Sequence, residues 1–350
     1  MRADSLRGRL STGVAGLFPG YFALVMATGI LSIACQILSW PAIARVLLAV
    51  NLLAYVVLVA LTIARAVFHH RCIIDDFGNH ARGSGFFTLV AGTSVLGTES
   101  LLVAGWRSFA EVLLGVGLCL WLVVMYAFFT AVIVREHKPT LAEGINGAWL
   151  LATVATQSVA ILALGLGDPF GWSRATVAFG ALIFFLIGCM LYLAIITLIF
   201  YRFTFLELAT ATLTPPYWIN MGAVAITTLA GSLLVLGAER SPLLTEILPF
   251  LKGFTLFFWA AGTWWIPLLL LLGGWRHLWK RYPLTYDPQY WGMVFPLGMY
   301  TVATYRLAEA LPFAPLVAIA RVFLPLGLLA WTMAAAGLVR SWLRPSPIQR

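Results

Sequence analysis

The chain has 350 residues, of which 61% are hydrophobic and 10% charged, with a net charge of +9 at pH 7 and a mean hydropathy of +0.94. So little polar material cannot cover a soluble domain of this size. The basic residues are scattered over separate short segments, which argues against a nucleic-acid surface and makes the charge a matter of topology.

A bilayer core about 30 Å thick needs roughly 20 apolar residues per helix. Ten such runs fill the chain. They are longer than barrel strands and do not alternate, so they are helices, which satisfy their own backbone in lipid. Arg2, Arg7 and Arg9 precede the first run, 16–38. They resemble a signal peptide's basic start, but the run is of spanning length and nine more follow, so an uncleaved helix is expected. The second run is 43–67. A loop with His69, His70, Arg71, Asp75, Asp76 and His80 separates it from 86–106 and 109–133. Then come 145–166, 175–200, 218–237 (after Pro215–Pro216), 248–273, 290–311 and 315–339. The expectation is a single transmembrane domain over 1–350, with short tails at 1–15 and 340–350.

With the N-terminus inside, 15 of the 22 Lys and Arg fall on inside segments. That bias predicts both termini in the cytoplasm, and the inner membrane of a prokaryote as the location. Cys35, Cys72, Cys119 and Cys189 are scattered without metal spacing and read as free thiols.

The odd runs differ from the even ones. Their cores are VMATGILSIA (25–34), VAGTSVLGTE (90–99), LATVATQSVA (151–160), VAITTLAGS (224–232) and PLGMYTVATY (296–305). They start near 16, 86, 145, 218 and 290, which suggests five helical hairpins of about 70 residues, each with one inner and one outer helix. On this reading the odd helices line a pore. Gly29, Gly97, Gly147, Gly231 and Gly298 would let them bend or approach closely. Thr28, Thr93, Thr156, Thr228 and Thr304 would offer hydroxyls to a partly dehydrated solute. The competing reading is that small residues are the usual means of close helix packing in membranes.

The ninth run is the richest. Phe295 precedes a kinking proline, Pro296, and at about 100° per residue Val302, Arg306 and Glu309 fall near its face. That stripe is either a pore face with an aromatic constriction and a cation at one mouth, or a packed ring above an Arg–Glu pair. Glu99, Lys252, Arg306, Glu309 and Arg321 are charges within or beside spans, where ionisable groups default to function. Arg306 and Arg321 are the candidates for attracting an anion. Arg321, two turns into its span, could equally pair with Glu309 or Glu99. No HExxH, paired DxxD, Walker loop or GxSxG occurs, so any transport is passive or driven by an ion gradient, and no cofactor or metal is expected. A membrane-embedded enzyme using loop 69–80, and a non-conducting sensor, are the alternatives from other classes.

Two stretches carry a resemblance. FPGYFALVMATG, Phe18 to Gly29, and WGMVFPLGMYTVA, Trp291 to Ala303, resemble the first and ninth spans of the tellurite-resistance/dicarboxylate transporter family. This family includes tellurite-resistance permeases, malate and sulfite transporters and the slow anion channels of guard cells. The resemblance implies an all-α fold of ten helices, as five hairpins in quasi-fivefold arrangement around an anion pore. It implies a pore-plugging phenylalanine, by motif Phe295, and a homotrimer. The solutes it implies are small anions: a C4-dicarboxylate such as malate, sulfite, tellurite or an inorganic anion. Arg306 and Glu309 are not part of the matching pattern.

Overall fold

The computed structural model describes residues 12–343, which are helical with no strand among them. Ten long helices follow the ten runs: α1 (Ala23–Ile37), α2 (Pro41–Phe68), α3 (Phe87–Ala104), α4 (Arg107–Val134), α5 (Leu151–Leu166), α6 (Arg174–Phe205), α7 (Ile219–Leu236), α8 (Leu248–Gly274), α9 (Trp291–Ala310) and α10 (Pro315–Leu343). Among the described residues, nine helical segments are long and apolar enough to cross a membrane. The tenth, α9, has 20 residues and carries Tyr300, Tyr305, Arg306 and Glu309, which dilute its hydropathy.

Each odd helix starts with a 3-10 turn: Pro19–Phe22, Gly83–Phe86, Gly147–Leu150, Pro215–Trp218 and Pro288–Tyr290. At four of the five the residues explain it. Proline at the first position gives up no needed N–H and has a helix-ready φ. Asn146 and Asp287 accept from the N–H two residues on, each at 2.8 Å. The turns also supply reach. The 15 residues of α1 rise about 22 Å, and the four-residue turn adds about 8 Å, which together match a bilayer core.

The odd helices pack in a closed cycle: α1 on α3, α3 on α5, α5 on α7, α7 on α9, and α9 back on α1. Each even helix packs on the odd helix of its own hairpin and on that of the next: α2 on α1 and α3, and so on to α10 on α9 and α1. Burial follows. The most apolar stretches of α1, α3, α5 and α7 are 72–89% buried, those of the even helices 17–39%. The even helices therefore offer leucine, valine, phenylalanine and methionine to lipid, as Leu53, Val123, Phe179 and Met333 do.

Several boundaries differ from expectation, the first and last spans among them, with α-helix from Ala23 rather than 16 and to Leu343 rather than 339. The fifth span begins as α-helix at Leu151 rather than near 145, because Asn146 caps the turn before it. The sixth continues to Phe205, past the expected 200, because its last turns stay apolar and no breaker intervenes. Residues His70–Phe77 form a short amphipathic helix where a loop was expected.

Candidate functional site

Two spaces lie in line within the interior of the odd-helix cycle. The larger, about 290 Å³, lies toward the C-terminal ends of the odd helices. All five contribute: Ile30 and Ile33 from α1, Val95 and Thr98 from α3, Ser158 and Ile161 from α5, Ile226 and Leu229 from α7, Met299, Val302 and Arg306 from α9. The smaller, about 30 Å³, lies toward their N-terminal ends and is lined by Ala23, Met26, Thr88, Leu151, Ile219, Gly292 and Phe295, among others. One helical turn separates Met26 from Ile30 and Phe295 from Met299. The two spaces thus stand in line, with packed side chains between them.

Phe295 is fully buried and borders the smaller space. Met299, Val302 and Arg306 follow it along the same face of α9. Pro296, on the next face, meets α7 at Gly222, where an added Cβ would lie 2.7 Å from the proline ring. Among the described residues Arg306 is the one charged side chain lining the larger space, and its Nη1 donates to Glu309 Oε2 at 2.7 Å. The two readings of Arg306 thus meet in one geometry: it forms the i,i+3 pair, and it borders the cavity. Arg321 is exposed on α10 and makes no ion pair among the described residues. Glu99, its suggested partner, accepts from Asn51 Nδ2 at 2.6 Å in a buried junction of α1, α2 and α3, beneath Gly29. Glu99 Oε1 and Asn51 Oδ1 have no partner among the described residues.

The expected pore-lining residues sit elsewhere. Thr28, Gly29, Thr93, Gly97, Thr156, Thr228, Gly231, Gly298 and Thr304 line neither space. Thr28 accepts from Trp331 Nε1 at 2.9 Å, Thr156 from Trp121 at 2.9 Å and Thr304 from Trp259 at 3.0 Å, while Thr93 meets the Tyr55 hydroxyl at 3.0 Å. In each case the aromatic comes from the outer helix of the preceding hairpin. The fifth place in the cycle is different: Thr228 donates to the Val224 carbonyl at 2.8 Å. Gly29 faces Asn51 and Val95, Gly97 faces Leu162, Gly231 faces Thr255, and Gly298 faces Ile30 and Leu31. Gly147 faces the backbone of Pro216 and Tyr217. The small residues make the helix–helix joints, and the wall of the interior is mostly branched aliphatics. A sequence signal for the joints existed: Tyr55, Trp121, Trp259 and Trp331 recur at mid-depth on even helices.

Those joints are testable one by one. Trp259→Phe keeps the ring and removes one donor, so it should lower stability by about 0.6–1.7 kcal/mol, the span found for such bonds in membranes. Thr304→Val should cost a similar amount, and the double variant no more than either alone. Thermal melts of the detergent-purified variants read this directly.

Loop 69–80 is organised by ion pairs. Asp76 accepts from Arg65 at 2.7 Å and from Arg82 at 2.7 Å, and Arg65 also holds the Ala15 carbonyl. His80 lies against Trp149, whose Nε1 donates to its carbonyl at 2.9 Å. Burial, with Arg135 and Lys138 nearby, pushes the His80 imidazole below its ordinary value. Among the described residues no group of three or more His, Cys, Asp or Glu side chains is gathered as a metal site.

The sequence model described as voltage-dependent anion channel (SLAC1) matches residues 17–339. A transporter of Methanocaldococcus jannaschii is 26% identical over 310 residues, covering 84% of this chain and 85% of its own. A second transporter of that organism is 24% identical over 318 residues, covering 86% of each. A membrane protein of Mycobacterium tuberculosis is 44% identical over 120 residues, 34% of this chain, and the match spans only 60% of that relative's length.

Proposed function

The chain belongs to the voltage-dependent anion channel family, and we propose that it passes small anions through the interior of its odd-helix cycle. The candidate solutes are C4-dicarboxylates such as malate, sulfite, tellurite and inorganic anions. The five hairpins stand in quasi-fivefold order about this path, Phe295 obstructs it, and Arg306 raises the anion concentration at its wider mouth. The observation that carries the reading is the line of spaces from Phe295 to Arg306, walled by all five odd helices.

The wall chemistry supports a weak, transient grip. Thr98 donates to the Ser94 carbonyl at 3.1 Å and Ser158 to the Ala155 carbonyl at 2.8 Å. Their hydroxyl protons are engaged within their own helices, so they have little to offer an anion. Arg306 is then the main attraction in a largely apolar cavity. A solute drawn in by one cation and gripped by little else can also leave, which conduction requires.

The Lys and Arg bias supports placement in the inner membrane with both termini in the cytoplasm, so that Arg306 faces outward. A homotrimer fits the family resemblance. The test of the reading is Arg306→Gln in reconstituted liposomes. Long-range attraction is screened within about 8 Å at physiological ionic strength. Anion flux should therefore fall severalfold at low salt and much less at high salt, in a protein that still folds. An unchanged flux at both salt levels would remove Arg306 from the mechanism.

A further inference from the structure

Two guanidinium groups lie buried at the end of the bundle where the odd helices begin, and among the described residues no carboxylate pairs with either. Arg276 sits in a π-helical turn, Trp275–Trp279, that continues α8, and is 8% exposed. Its Nη1 donates to the Leu213 carbonyl, its guanidinium carbon stands 4.3 Å from the centre of the Tyr282 ring, and its Nε has no partner among the described residues. Arg202, in the last turn of α6, is 4% exposed, lies 5.7 Å from the Tyr217 ring, and also leaves its Nε unpaired. Among the described residues, the arginines in ion pairs are Arg65, Arg82, Arg107 and Arg306. The nearby acids are otherwise placed. Asp287 accepts from the Gln289 N–H, and Glu207 is exposed. A buried cation without a counter-ion is costly, and a ring face offsets only part of that cost.

Beside Arg276 opens a groove of about 400 Å³, between the end of α8, the turn before α7 and the start of α9. Its walls are apolar, with Leu213, Trp218, Leu269, Leu272 and Met293, while Arg276 and His277 line one end. At Gly273 and Gly274 nothing lies within 4 Å of where a side chain would start, so the groove stays open there. The segment Trp275–Arg281 reads WRHLWKR, with Leu278 and Trp279 about 80% exposed and Lys280 5.9 Å from the Trp275 ring. Aromatic and basic residues mixed at a span's end mark headgroup depth.

We propose that this groove is a binding site for an anionic phospholipid, with the phosphate on Arg276 and an acyl chain along the leucine and methionine wall. Lys280 adds positive charge around the headgroup. Basic pockets between spans suit acidic lipid headgroups. The apolar wall favours a lipid over a free anion, because inorganic phosphate would use only the Arg276 end.

The test uses the full chain in detergent and three probes: dioctanoyl phosphatidylglycerol, dioctanoyl phosphatidylcholine and inorganic phosphate. Phosphatidylglycerol should raise the thermal midpoint and remain bound in native mass spectrometry, and the other two should not. Arg276→Gln should weaken phosphatidylglycerol binding at least roughly tenfold, as expected for losing a charged hydrogen bond. Gly273→Leu leaves the arginine in place and fills the groove, so it should abolish the same binding and keeps the test decisive if Arg276→Gln does not fold. Equal binding of phosphatidylcholine, an equal shift with inorganic phosphate, or unchanged binding in Gly273→Leu would each overturn the proposal.

Discussion

Phe295→Ala is expected to raise anion conductance roughly tenfold, which corresponds to about 1.4 kcal/mol off the barrier. The ring is fully buried beside the smaller interior space, one turn of α9 before the larger one begins. A phenyl group at that point excludes water and strips hydration from any ion that passes, and apolar constrictions of this kind gate by dewetting. Removing it joins the two spaces into one wetted path. Phe295→Leu keeps most of the volume and should fall between wild type and the alanine variant. If the ring only fills the bundle, the alanine variant leaves a cavity costing roughly 3–5 kcal/mol, and flux falls together with the folded protein. Liposome currents normalised to folded protein separate the two. A folded Ala variant that conducts no more than wild type would mean that Phe295 is not the obstruction.

The second large effect lies where the hairpins meet. Gly147→Ala should cost well over 1 kcal/mol and sharply reduce the yield of folded protein. An added Cβ there would stand 2.6 Å from the Pro216 carbonyl carbon and 2.6 Å from Tyr217 Cα, and neither is free to rotate away. Overpacking against movable side chains typically costs 1–3 kcal/mol, and here the obstacle is backbone. Gly85 stands in the same relation to the backbone of Gly20 and Pro19. These two contacts join the starts of neighbouring odd helices, α5 to α7 and α3 to α1. Gly180→Ala on α6, with nothing within 4 Å, is the matched control and should melt like wild type. Equal melting of Gly147→Ala and Gly180→Ala would show that the helix starts can shift apart.

The spans were legible because each is a long apolar run bounded by breakers, and lipid leaves the backbone no alternative to helix. The five-hairpin division was legible in the Gly and Thr content of alternate runs. The direction in which those residues point was not. Hydropathy gives rotation only when one face of a helix meets water, and the odd helices are buried all round, so Thr156 toward Trp121 and Thr156 toward a cavity leave the same trace in the sequence. Proline-anchored α9 was the exception. The stripe Phe295, Val302, Arg306 could be read because its polarity changes along one face. The Glu99–Asn51 contact was hidden for a different reason: 48 residues separate the partners, and neither sits in a motif. The short helix His70–Phe77 was obscured by its own charges, which suit a solvated loop equally well.

The division between wall and joints has an evolutionary corollary. Among the described residues, the polar side chains lining the larger space bond only within their own helices: Thr98, Ser158 and Arg306. Bonds that tie one helix to another are carried by residues that do not line it, among them Thr28, Thr93, Thr156 and Thr304. Substitutions in the wall can then alter width and polarity without loosening the frame. Descendants of one scaffold can drift from one solute to another by changing Ile30, Val95, Ile161, Ile226 or Met299, while the tryptophan–threonine ties stay fixed.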